Sequence, residues 1–233
     1  MAAIDESATV DVMYLDLRKA FDSVSHIKLL CKLHNYSISG KLLNWFNSYL
    51  HNRQQCVRIG QATSYFLPVL SGVPQGSILG PMLFILYINN LPDSLKSSTV
   101  YMFANDSKCM HTIRNSGDII KFQNDLTNIY QWSKLWDLNF NLNKTALMQF
   151  EPNSSTNSIY FLNNTIINKQ PSTKDLGIIV SSDLSWSNHY KSITSKAYRT
   201  LGLIWQTFTT NSVKARKKLY LPYFFLFLWA PST

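Results

Sequence analysis

The chain has 233 residues, 45% of them apolar and 13% aromatic, enough to bury one substantial core with a small helical module appended, which argues against disorder. Lys and Arg outnumber Asp and Glu by 22 to 13, a formal net charge of +9, so a polyanionic partner such as nucleic acid is favoured, with a generally basic soluble protein as the plainer alternative. Cys31, Cys56 and Cys109 are odd in number and lack CxxC spacing, which points away from disulfide scaffolds and zinc sites and towards a reducing compartment.

Residues 1–12 are acidic and carry neither the basic nor the apolar region of a secretory signal, so an intracellular location, cytoplasmic or nuclear, is expected. Residues 10–17 read as a strand with a dense apolar pattern. A turn at 22–25 precedes helices at about 27–36 and 41–50, the second with Leu42, Leu43, Trp45, Phe46, Tyr49 and Leu50 at helical spacing. Segments 53–59 and 64–69, parted by Gly60, read as a hairpin. The loop Ser71-Gly72-Val73-Pro74-Gln75-Gly76-Ser77 leads into an apolar helix at about 83–91. Residues 99–104 and 107–113 read as strands joined by a tight turn with Asn105 and Asp106 at its tip.

An amphipathic helix is predicted over about 118–135, with Ile119, Phe122, Leu126, Ile129, Tyr130 and Trp132 on one side. Strands are predicted at 146–150, 158–162 and 176–180, a loop at 152–156, and a further helix at 190–207. The apolar run 219–230, broken at Pro222, falls short of the ~20 residues of a bilayer span and is expected to be a core segment cut from a longer protein, with no membrane association. Strands alternating with helices at this spacing predict an α+β fold, helices covering one face of a mainly antiparallel sheet.

Asp16 lies inside an apolar strand, where a carboxylate must be solvated, paired or metal-bound to avoid a desolvation cost of several kcal/mol. Asp106 lies at the later hairpin. Two carboxylates brought together repel, and a divalent cation is the usual remedy; hard oxygen ligands suit Mg2+, with Mn2+ as the alternative ion. The plain alternative is that each Asp is a strand-end or turn residue without chemistry.

Five local words, covering about 14–199, decide between these. Tyr14-Leu-Asp16-Leu-Arg-Lys-Ala-Phe21-Asp22 resembles the first catalytic motif of reverse transcriptases, in the form typical of non-LTR, Jockey-type retrotransposons. Leu70-Ser-Gly72-Val-Pro74-Gln75-Gly76-Ser77-Ile-Leu-Gly80-Pro81 is similar to the second motif and Phe103-Ala-Asn105-Asp106 to the third. Leu142-Asn-Lys144-Thr145 and Lys174-Asp-Leu176-Gly177 look like the fourth and fifth.

The resemblance implies an RNA-directed DNA polymerase using an RNA template, a DNA primer and deoxynucleoside triphosphates, with no obligate protein partner. Its implied fold is a polymerase palm, an RRM/ferredoxin-like antiparallel sheet with helices on one face, over residues 1–185. The start of a helical thumb would follow at 186–233, the fingers being missing and the copy truncated. It implies two-metal nucleotidyl transfer, with Asp16 and Asp106 holding the ions and the Leu17 carbonyl assisting. Phe21 would pack under the incoming sugar and exclude a 2′-hydroxyl. Gln75, Gly76 and Lys144 would contact the nucleotide, and Gly72, Pro74, Leu176 and Gly177 the template or primer. Arg18 and Lys19 are candidate phosphate contacts. For these basic residues a solvated side chain is the alternative.

This sequence departs from the family at Asn105, which stands where the first aspartate of the third motif binds metal, so that, with the truncation, a poor or inactive polymerase is expected. Asn90, where Asp is usual, is a milder departure expected to affect the C-terminal structure of its helix. The alternative is a non-catalytic nucleic-acid-binding remnant using Lys191, Lys196, Arg199, Lys214, Arg216, Lys217 and Lys218.

Overall fold

The computed structural model describes residues 8–150, 158–207 and position 218. The loop at 152–156, the basic Lys214, Arg216 and Lys217, and the apolar run 219–230 lie outside the described residues. Lys218 is exposed.

Strand β1 (Thr9–Asp16) is the centre of the molecule. Its Thr, Val and Tyr content favours extended backbone; it is paired on both edges, and packing on both of its faces accounts for its dense apolar pattern. After a 3-10 turn (Ala20–Ser23) come helices α1 (His26–Asn35) and α2 (Gly40–Leu50). The predicted hairpin forms as two short ladders, β2 (Gln54–Gln55) on β5 (Leu67–Pro68) and β3 (Arg58–Ile59) on β4 (Ala62–Thr63). Helix α3 (Leu79–Ile88) begins about a turn before its expected start, because Pro81 is tolerated in a first turn, where its missing N–H costs no hydrogen bond.

Strands β6 (Thr99–Phe103) and β7 (Asp106–Ile113), helix α4 (Ser116–Leu135) and strand β8 (Ala146–Phe150) follow. Beyond them lie the small hairpins β9 (Phe161–Leu162) with β10 (Thr165–Ile166) and β11 (Ser172–Asp175) with β12 (Ile178–Ser181), then helix α5 (Ser187–Thr207). The expected strand over 176–180 is interrupted, since Leu176 and Gly177 form the β11–β12 turn. Similarly, only Phe161 and Leu162 of the 158–162 segment are paired.

The main sheet has the order β6-β7-β1-β8, antiparallel throughout. With helices between β1 and β6 and between β7 and β8, the chain runs β-α-β-β-α-β, the split unit of ferredoxin-like sheets. Met13 and Leu15 of β1, and Leu17 just beyond it, join Leu29, Leu33, Phe84, Phe122, Leu126 and Ile129 of the helices in the larger core. Val10 and Val12 point the other way, against Met148 and Phe150, with Tyr14, Met110 and Val180 beside them. Val180 of β12 packs on that second face, and the period of two puts Asp16 on it.

Asp11 faces the helical side and is fully buried. Gln149 Nε2 donates to it at 3.0 Å and the Tyr160 hydroxyl at 2.6 Å, so this carboxylate is consumed structurally. Burial and the neighbouring Asp11 push the Tyr160 phenol far up.

Asn90 has a role its position just past α3 did not announce. Lys32, 5% exposed, donates to the Tyr87 carbonyl and, at 2.6 Å, to Asn90 Oδ1, which also accepts from Trp132 Nε1 at 3.1 Å. The ammonium lies 4.0 Å from the Trp136 ring centroid. Burial pulls its pKa from 10.5 to about 8, with Asp93 opposing weakly.

Between those values the unfolded chain binds more protons than the native one, so this group adds stability as pH rises through that window. Asn90→Asp sets a carboxylate against the ammonium. Thermal unfolding near pH 7 and at about pH 9 should show a higher melting temperature for the variant at neutral pH and a smaller alkaline gain. Identical melting behaviour at both would mean Lys32 is not held charged against Asn90.

Candidate active site

Asp16, the last residue of β1, is the direct register partner of Asp106, the first residue of β7. Directly opposed residues have Cβ atoms about 4.5–5.5 Å apart, so two carboxyl groups drawn from positions 90 residues apart share the open face. Asp106 is not at the hairpin tip, contrary to expectation. The turn is made by Ala104 and Asn105 and closes on the Phe103↔Asp106 pair, with Ala104 at φ +52°. A two-residue hairpin turn demands positive φ at its first central position, and alanine meets that demand with strain.

The Asp106 carboxyl is pushed up, by burial first and then by Asp16 and Asp175, while Lys144 pulls it down. Asn105 Nδ2 donates to Asp106 Oδ1 at 3.4 Å, a long contact that supplies no negative charge. Two hard oxygen groups held apart by repulsion fit a divalent cation that keeps several waters and takes further oxygens from a phosphate. Among the described residues no cluster of three or more His, Cys, Asp or Glu stands ready to enclose a metal.

The end of β1 continues as a single bridge from Leu17, which is buried, to Phe140. Arg18 N donates to Asn139 O at 2.7 Å and Asn141 N to Asp16 O at 2.8 Å. The Asn141 carbonyl then accepts from Lys144 N (3.0 Å), Thr145 N (2.9 Å) and Thr145 Oγ1 (3.0 Å). This turn brings Lys144 Nζ to 3.6 Å from Asp16 Oδ2, with 68% of its side chain exposed. So long and exposed an ion pair holds weakly, leaving the ammonium exchangeable with a phosphate. Arg18 and Lys19 are exposed.

Phe21 stacks on Phe84, with ring centroids 4.5 Å apart. The loop after β5 is laced to the same segment: Gly72 N donates to Val24 O (2.8 Å), Val73 N to Phe21 O (2.9 Å), Ser71 Oγ to Asp22 O (2.8 Å) and Gln75 Nε2 to Asp22 Oδ1 (2.7 Å). His26 Nε2 lies 2.8 Å from Gly72 O. A Cβ at Gly72, φ +91°, would stand 2.8 Å from Asp22 Cα, so the close approach that requires glycine there is to the chain's own backbone. Gly76, φ +78°, has no atom within 4 Å of such a Cβ. Pro74 sits beneath helix α3, its carbonyl accepting from Ser77 Oγ at 2.7 Å.

Leu176 (φ +46°) and Gly177 (φ +90°) form the β11–β12 turn at the rim of a 660 Å³ cleft that also contains Asp16, Phe103, Asp106 and Lys144. Gly177 takes positive φ without penalty, whereas a leucine there is an outlier. Beside the turn, Lys108 Nζ meets Asp175 Oδ2 at 2.5 Å, and burial, aided by Asp175, pushes the Tyr14 phenol up to about 12. Lys108, Tyr14, Tyr101 and Asp175 are site residues that sequence reasoning passed over. The available signal was the period of two: Lys108 follows Asp106, and Tyr14 precedes Asp16, by two positions each. Nothing local pairs Asp175 with a residue 67 positions earlier.

A family model described as "Reverse transcriptase (RNA-dependent DNA polymerase)" matches residues 5–204. The "Probable RNA-directed DNA polymerase from transposon X-element" of Drosophila melanogaster is 28% identical over 206 residues, covering 84% of this chain and 22% of the relative. The "RNA-directed DNA polymerase from mobile element jockey" of the same organism is 28% identical over 195 residues, covering 80% of this chain and 21% of the relative. Among solved structures, telomerase from Candida tropicalis in complex with a fragment of telomeric RNA superposes with a TM-score of 0.56 at 11% identity. That match covers 96% of this chain and 38% of the telomerase. The chain thus spans less than a quarter of these two transposon relatives, and the structural likeness is one of fold, mixed α and β with an antiparallel sheet.

Gly72→Ala forces a Cβ into the Asp22 backbone and should lower the unfolding free energy by about 2–4 kcal/mol. Gly76→Ala meets only backbone strain of about 1–2 kcal/mol. Urea denaturation of both variants checks the docking, and equal losses would show that the loop does not lie against Phe21 and Asp22.

Proposed function

The chain belongs to the reverse transcriptase (RNA-dependent DNA polymerase) family, in its Jockey-type retrotransposon branch, and from that premise we propose that it is the palm and first thumb helix of a mobile element's RNA-directed DNA polymerase. The palm would occupy residues 1–185, and the thumb would begin at 186–233. The observation that carries this is the register pair Asp16↔Asp106 at the mouth of the cleft. Its substrates would be an RNA template, a DNA primer and deoxynucleoside triphosphates, handled inside the cell. Among the described residues no helix is long and apolar enough to cross a membrane. The telomerase whose fold is similar is itself in complex with RNA, which supports a nucleic-acid template here.

Reverse transcriptases generally use divalent metal ions. Mg2+ held by Asp16 and Asp106 would supply Lewis acidity towards the primer 3′-hydroxyl and the phosphates. The residues around that pair then have definable tasks. Lys144, weakly tied to Asp16, is placed to meet the triphosphate and return a proton to departing pyrophosphate. Phe21, fixed by its stack on Phe84, offers a rigid floor beneath the sugar. Gln75, anchored on Asp22, presents its backbone and that of Gly76 to the nucleotide. Leu176 and Gly177 bear on the primer from the opposite rim, with Lys108 and Asp175 pinning their hairpin to the catalytic strand.

Asn105 sets the level of activity. Its amide donates towards Asp106 instead of adding a carboxylate, and loss of a charged group that stabilises a transition state costs on the order of 10²-fold in rate. That same loss favours a second reading, a nucleic-acid-binding remnant without turnover, for which Lys191 and Arg199 are exposed on α5.

Asn105→Asp, in this chain joined to the fingers and thumb segments of a relative, should raise Mg2+-dependent primer extension by about 10²-fold. It should also enlarge the stabilisation that added Mg2+ gives in thermal unfolding, since a third carboxylate at this corner is repulsive without the ion. Efficient extension by the Asn105 form, unchanged on substitution, would remove Asn105 from the ligand position.

A further inference from the structure

We propose that edge strand β6 and the cleft beyond it form a second, non-catalytic contact for single-stranded nucleic acid, with bases stacking on Tyr101 and Phe103 and phosphates meeting Arg114 and Lys121. The pattern along β6 is the first observation. Val100 and Met102 pack against the core, whereas Tyr101 (54% exposed) and Phe103 (66% exposed) are spent on the solvent side of the sheet. An exposed aromatic on a strand is informative because burying it would stabilise the fold. Two such residues at a spacing of two on one open face make the kind of platform on which successive unpaired bases stack.

The second observation is a cleft of 490 Å³ lying down the sheet from the carboxylate pair and lined by Thr99, Tyr101, His111, Thr112, Arg114 and Lys121 among others. Tyr101 lines both this cleft and the one that holds Asp16 and Asp106. A single strand leaving the carboxylates would therefore cross Tyr101 into the second cleft without losing contact. The charge there suits a phosphate backbone. Buried Asp118 is already served by Lys121 Nζ (2.9 Å) and by the Arg114 amide (3.1 Å), and the Lys121 side chain is 58% exposed. Among the described lining residues, Arg114 and Lys121 stand against the single carboxylate of Asp118. The hydroxyls of Thr99 and Thr112 add donors at the same wall. Splayed bases need a single strand, since a duplex hides its ring faces, and this selects the occupant.

Stacking and phosphate contact require no metal, so the contact stands whether or not the chain polymerises. The test is fluorescence anisotropy of a short labelled oligothymidylate with the full chain in EDTA, where no nucleotidyl transfer occurs. Tyr101→Ala should weaken binding about tenfold, and Tyr101→Phe should restore it. Lys121→Gln should flatten the logarithmic salt dependence by about 0.7. Because Tyr101 is exposed, thermal unfolding of its variants should match the parent. The proposal is overturned if the chain does not bind the oligonucleotide, if Tyr101→Ala and Lys121→Gln bind as the parent does, or if duplex of equal length binds as tightly and ignores Tyr101. A failure of primer extension alone would count against the polymerase reading and leave this contact in place.

Discussion

The pairing of β1 with β7 is the constraint on which the site depends, because it sets two carboxyl groups of one charge side by side on an exposed sheet face. A ladder of eight residue pairs, from Thr9↔Ile113 to Asp16↔Asp106, holds that register. One residue of slip would turn every side chain of a strand to the opposite face, sending Asp16 into the apolar layer and Leu15 to solvent. The apolar cost of that slip keeps the acidic pair in place. Asp11 shows the same rule on the other face, where a carboxylate survives burial with Gln149 and Tyr160 among its donors.

Around this pair the chain makes its walls from segments far apart in sequence. Leu17 bridges to Phe140 and so delivers Lys144. The 71–76 loop is stitched to Phe21, Asp22 and Val24 by backbone and side-chain hydrogen bonds, with Gly72 allowing the approach. Hairpin β11–β12 is tied to β7 through Lys108 and Asp175. Two non-glycine residues with positive φ, Ala104 and Leu176, lie at the corners of the two hairpins that flank the cleft. Such strain persists where surrounding structure over-determines it, here through ladder pairs closing each turn.

The sheet face has two uses for its side chains. Near Asp16 it presents carboxylates and an exchangeable lysine, chemistry suited to phosphoryl groups and a divalent ion. Farther along β6 it presents aromatic rings and cations, chemistry suited to bases and backbone phosphates. The carboxylates and the rings follow from one alternation of inward and outward residues along the strands, the cations Lys144, Arg114 and Lys121 come from segments outside them, and Tyr101 joins the two clefts.

The sequence by itself determined the strands 10–17, 99–104 and 146–150, the helix at 118–135, the apolar sides of each, and the five words whose order identifies the family. These are short-range properties, written in the period of two or 3.6 and in Gly and Pro at turns. Only the tertiary structure decided that Asp106 opens a strand while Ala104 and Asn105 take the corner, that 176–177 is a turn within what read as one strand, that Asn90 closes on a buried lysine, and that Asp175 meets Lys108. Each of those depends on a partner many residues away or on a choice of turn one residue wide, and a local pattern carries neither, because register and long-range pairing are settled only when the core chooses which faces to bury.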